Sequence, residues 1–177
     1  SYQFAAAFLL LAISPALLAW FSLGRSPGTL GVRLGDWRAG LRLTAIGMVA
    51  LAPVLYLASL DPAMQREYPL TRLAGCGTDL FLLWELNYLV YYLAWEFFFR
   101  GFMLFLVEDA WGSAAAILVQ MVPSTLLHIG KPWGETCAAL VAGLLFGALA
   151  IRTRSVFYPL ILHWFVGMAT DYLCLLN

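Results

Sequence analysis

Six apolar stretches, residues 3–23, 41–60, 79–107, 112–129, 134–151 and 155–176, dominate the sequence and decide its fold class. Each is close to or beyond the roughly 20 residues that a helix needs to cross the hydrocarbon core of a bilayer. Lipid offers no water to satisfy peptide N–H and C=O groups, so only helices or closed barrels can span it. A barrel strand would alternate apolar and polar residues over about ten positions, and no such alternation is visible. The expected fold is all-α: a polytopic transmembrane bundle of about six spans, forming a single membrane domain over residues 1–177. A charged content of 11%, against roughly 25% in soluble domains, agrees with it.

Other features refine this reading. Net charge is zero and there is no basic run, so the electrostatic footprint of a nucleic-acid partner is missing. Cys76, Cys137 and Cys174 stand far apart and read as small apolar residues. The chain opens on Ser1 inside an apolar stretch, as expected of a trimmed or internal start, and no signal peptide is evident. Residues 24–40, rich in glycine and carrying Arg25, Arg33 and Arg38, read as an interfacial loop. Gly143 and Gly147 form a small-xxx-small pattern that lets helices approach closely. Residues 79–107 exceed one upright span and must tilt, kink or emerge, with Glu85 and Asn87 expected near one end. The stretch GCGTD at 75–79 is similar to the GxGD of intramembrane aspartyl proteases but has the wrong spacing. Thr78 or Asp79 is expected instead to cap the next helix.

An ionisable group inside a membrane costs at least ~2.5 kcal/mol on insertion scales, so such groups are paired or functional. Four stand out: Glu96 and Arg100 in the third stretch, His128 at the end of the fourth and His163 in the sixth. Glu96 and Arg100 share a helix face and could simply neutralise each other. Counted from a common side, Glu96, His163 and His128 lie ~18, ~12 and ~24 Å deep at 1.5 Å per residue, within reach of one another in tilted helices. A carboxylate can take a proton from water, while histidines can hold that water or stabilise an oxyanion, so hydrolysis inside the membrane is the reaction to expect. HExxH and GxSG motifs are missing. Two histidines and a glutamate could also bind zinc, although no local ligand spacing favours it.

These residues resemble the CPBP intramembrane proteases, the family of type II CAAX prenyl proteases and of bacteriocin-processing and self-immunity relatives. WEFFFRG, with Glu96 and Arg100, resembles its EExxxR signature; STLLH, with His128, its FxxxH; HWFVG, with His163, its HxxxN/D. The resemblance covers about residues 80–177 and is closest to a bacterial branch. Three positions depart: Trp95 replaces the first glutamate, Ser124 the phenylalanine, and Gly167 the Asn or Asp. Glu135 and Asp171 are possible supporting acids, the latter two turns beyond His163, where it could orient that ring.

The resemblance implies a metal-independent endopeptidase without cofactor, resident in the bilayer of a bacterial cytoplasmic membrane, acting on membrane-anchored or C-terminally tailed proteins or peptides. Glu96, assisted by Glu135, would activate water; His128 and His163 would position it and stabilise the oxyanion; Arg100 would hold the carboxylate. The rival is a noncatalytic membrane scaffold or immunity-type binding protein that keeps the polar cluster for structure. Basic residues number six in the loops after the first, third and fifth stretches, where Arg25, Arg33, Arg38, Arg42, Arg152 and Arg154 lie. Arg66, Arg72 and Lys131 lie on the other side, so the odd loops are expected in the cytoplasm.

Overall fold

The structure, a computed structural model, describes residues 2–177 and is all-helical. Five helical runs are long and apolar enough to cross a membrane: Tyr2–Leu23, Trp37–Ser59, Thr78–Leu126, Trp133–Thr153 and Phe157–Leu176. The chain is a multi-pass membrane protein. The 49-residue run is far too long for one crossing, and it is broken at Gly112, whose φ of 81° and ψ of 169° leave the helical region. Six rods result, labelled α1 (Tyr2–Leu23), α2 (Trp37–Ser59), α4 (78–111), α5 (113–126), α6 (Trp133–Thr153) and α7 (Phe157–Leu176). A short helix α3, Pro62–Glu67, lies between α2 and α4. The long third stretch thus ends by turning back at Gly112.

The local starts follow side-chain chemistry. Asp36 caps α2 by accepting from Ala39 N at 3.1 Å, and Asp61 caps α3 by accepting from Ala63 N at 2.8 Å, with Pro62 in the first turn. At α4 the expectation is corrected: neither Thr78 nor Asp79 caps it, because the helix already begins at Thr78. Asp79 sits in the first turn, where a negative charge suits the helix dipole.

Packing places α5 against α6, α2 against α7, and α4 between α1 and α7. A Cβ on Gly143 would come within 2.7 Å of Met121, and one on Gly147 within 2.8 Å of Gln120 Nε2, so the small residues do let α5 and α6 close up. Gln120, fully buried, ties the pair by donating to Gly143 O at 2.7 Å.

The loops sort onto two faces. On one, Asp36 N donates to Thr153 O, Arg152 meets Asp36, Arg25 meets Asp109 and Arg154 meets Glu108. On the other, Lys131 meets Glu67, Tyr68 donates to Glu135, and Asn177 donates to Ser59. Gly35 serves the first face: its φ is +54°, and a Cβ there would lie 1.9 Å from Thr153 O. Gly35→Ala should therefore cost about 1–3 kcal/mol, read as a lower melting temperature in detergent.

Candidate active site

Glu96 ends the regular part of α4, and the next residues, Phe97–Met103, form a π-helical turn. This widening adds a residue to the turn and alters the angular register of a straight α-helix, a device common at functional sites. Its backbone is pressed from outside: a Cβ on Gly101 would lie 2.8 Å from Leu30 O. Glu96 and His128 lie sixteen residues to either side of the Gly112 break, which brings them level on antiparallel arms.

The Glu96 side chain is fully buried. Its Oε1 accepts from His163 Nδ1 at 2.6 Å and lies 3.3 Å from Arg100 Nη1. Its Oε2 has no hydrogen-bond partner among the described residues, nor do Arg100 Nε and Nη1. The Arg100 guanidinium is further held over the rings of Phe146 and Phe99, at 5.5 and 5.9 Å. A buried carboxylate is thus balanced by one cation and fixed by one imidazole.

His128 lies in the turn after α5, where its Nδ1 contacts Ser124 O at 2.8 Å. A carbonyl oxygen can only accept, so Nδ1 carries the proton and donates it. Burial lowers the pKa of His128 below the ordinary histidine value, only partly opposed by this bond, so the ring is neutral near pH 7 and its Nε2 is a bare acceptor. At His163 the Nδ1–H likewise donates, here to the Glu96 carboxylate, which Arg100 also faces. Trp95 packs near both rings and roughly perpendicular to each, with centroids 5.7 Å from His128 and 6.5 Å from His163.

Arg100, His128 and His163 face one cavity of about 720 Å³, together with Glu135 and Lys131 at one end. Val54 of α2 and Val141 and Leu145 of α6 line it and remain half exposed, so it is open between these helices. Glu135 accepts from Tyr68 Oη at 2.6 Å, and burial raises the pKa of Tyr68, keeping that hydroxyl protonated. No contact joins Glu135 to either histidine.

Asp171 is placed differently from expectation. It accepts from Trp84 Nε1 at 2.8 Å, and the carboxylate on His163 is Glu96. Glu85, expected near a span end, is fully buried in the same region as Asp171. Three other features were missed: the π-helical turn, Tyr92 stacked on His163, and α3 with its two ties across the cavity mouth. Only α3 had a readable signal, the Asp61–Pro62 cap. Among the described residues no group of three or more His, Cys, Asp or Glu side chains is arranged to hold a metal ion.

A family model described as type II CAAX prenyl endopeptidase Rce1-like matches residues 77–169, just over half of the chain. The matched region runs from the start of α4 through His163 and includes Glu96, Arg100, His128 and Glu135, but not Asp171. No curated protein and no solved structure matches the chain.

Proposed function

Because the chain belongs to the Rce1-like type II CAAX prenyl endopeptidase family, we propose that it is an intramembrane endopeptidase that hydrolyses membrane-anchored or C-terminally tailed polypeptides through water activated by Glu96. The observation that carries this reading is the buried Glu96, held by His163 and Arg100 on Oε1 with Oε2 left without a partner. A carboxylate so held is oriented and free on one oxygen. Glu96 takes a proton from water as the water oxygen bonds to the scissile carbonyl carbon. The proton then passes to the leaving nitrogen as the C–N bond breaks.

A bare Nε2 on His128 suits the positioning part of its expected role, accepting one O–H of the water while Glu96 takes the proton of the other. The Nδ1–H groups of both histidines are committed, to Ser124 O and to Glu96, and are not free for the oxyanion. Glu135, tied to Tyr68 at the cavity mouth, is better suited to the approach of substrate than to the chemical step. The opening between α2 and α6 favours substrates that arrive within the bilayer. The scaffold alternative explains the Glu96–Arg100 pair but gives no reason for two histidines to share a cavity with Arg100.

His128→Ala should lower kcat for a quenched-fluorescent peptide ending in a farnesylated CAAX sequence by about 10²-fold, in the range for loss of one group from a proton-transfer site. Chelator should leave the wild-type rate unchanged. Undiminished turnover in His128→Ala, or loss of wild-type activity with chelator, contradicts the proposed roles.

Orientation can be checked separately. If the face bearing Arg25, Arg33, Arg152 and Arg154 is cytoplasmic, the site's Lys131 end faces outward. In a chain with Cys76 and Cys137 replaced by Ser, Gly134→Cys should react with an impermeant thiol reagent in intact cells and Ser26→Cys should not. Both positions are exposed. The reverse pattern inverts the topology.

A further inference from the structure

We propose that the Tyr92 hydroxyl donates the hydrogen bond that stabilises the tetrahedral oxyanion, a role that rests on the protease reading above. The need for such a donor follows from the histidines. Each commits its Nδ1–H, one to Ser124 O and the other to Glu96, so neither Nδ1 is left to donate into the cavity. An oxyanion requires a donor, and water activation by Glu96 provides none.

Tyr92 is one turn before Glu96 on α4, and Gly167 is one turn after His163 on α7. Residues four apart share a helix face, so the two helices meet in two adjacent rungs. Glu96 with His163 makes one rung, and Tyr92 with Gly167 makes the other. The Tyr92 ring lies against the His163 ring, with centroids 4.3 Å apart and planes inclined by 40°. Both residues line the cavity.

Gly167 determines where the phenol can go. A Cβ at that position would lie 2.2 Å from Tyr92 Oη and 2.9 Å from Cζ, so the hydroxyl occupies the volume that any side chain there would take. The departure of Gly167 from the family motif therefore has a steric counterpart on the facing helix. The missing polar side chain on α7 leaves room for a polar group reaching across from α4. A donor fixed in a dry site is worth about 10²–10³ in kcat when it meets charge that develops only in the transition state.

The test uses the full chain in vesicles and the farnesylated CAAX peptide. Tyr92→Phe retains the ring against His163 and removes only the hydroxyl. It should lower kcat by about 10²–10³-fold, with KM changed less than about threefold and the melting temperature kept. Gly167→Ala, whose methyl meets the same hydroxyl, should lower kcat in the wild-type background and add no further loss to Tyr92→Leu, where that space is free. The Gly167 series decides the matter if Tyr92→Phe does not fold. Wild-type cleavage with undiminished kcat in Tyr92→Phe overturns the role of Tyr92 alone and moves the donor to another group such as Arg100 or Trp95. Equal losses from Gly167→Ala in both backgrounds overturn it too. No cleavage by the wild-type chain overturns the protease reading and this role together.

Discussion

Glu96→Gln should abolish cleavage, with kcat lowered by about 10³-fold or more, because glutamine keeps the shape and the acceptor for His163 but cannot take a proton at the working pH. The substitution also leaves Arg100 without its anion inside the bundle. Breaking a buried ion pair from one side costs about 3–5 kcal/mol, so reduced thermal stability should accompany the loss of activity. The two effects separate in the double variant Glu96→Gln/Arg100→Met. Removing both charges should restore much of the stability while activity stays absent. If the double variant recovers activity along with stability, Glu96 acts only through the fold.

Arg100→Met is the second large effect. The guanidinium is buried, lies 3.3 Å from Glu96 Oε1 and is the only Arg or Lys group paired with that carboxylate among the described residues. Without it the charge on Glu96 is met only by the His163 imidazole in an apolar setting, and the protonated, inactive carboxylic acid becomes the favoured form. Loss of kcat by about 10²-fold or more is expected in the peptide assay, with a drop in melting temperature. Arg100→Lys should rescue only in part. An ammonium restores the charge but not the planar fork, nor the same stacking over Phe146 and Phe99. Full activity in Arg100→Met would show that the carboxylate needs no cation.

Much of this architecture was legible because lipid removes alternatives. Apolar runs of span length leave the backbone no choice but helix, so the six rods could be read from hydropathy alone. The overlong third stretch is longer still in the structure, running on to Gly112, where the chain leaves the helical region. Glu96, Arg100, His128 and His163 were visible because charge and imidazole are rare where lipid surrounds the chain. Their pairing was another matter. The expected partner of His163 was Asp171, which lies on the same helix face by simple counting, yet the ring bonds to Glu96.

The reason is tertiary. Gly101 packs against Leu30 O and α4 widens into a π-helical turn just after Glu96, so straight-helix counting fails across residues 97–103. Asp171 is meanwhile held by Trp84, a residue with no signal in hydropathy to mark it as a donor to α7. Glu85 lies about two turns from the start of α4, near one end of the long stretch as expected. Polar residues near a span end are ordinarily solvated, and only the packing of α4 on α7 shows this one to be buried. Tyr92 reads in sequence as one of several aromatics. Its position over Gly167 depends on two helices meeting, which no single-helix pattern contains.

The most direct measurement is the fate of the farnesylated CAAX peptide with the purified wild-type chain in vesicles, in ¹⁸O-labelled water with chelator present, followed by mass spectrometry. The account predicts a cut peptide carrying one ¹⁸O atom in its new C-terminal carboxylate, with no covalent adduct on the protein and no product from Glu96→Gln. An intact peptide after prolonged incubation with the folded wild-type chain, or equal product from Glu96→Gln, would contradict it.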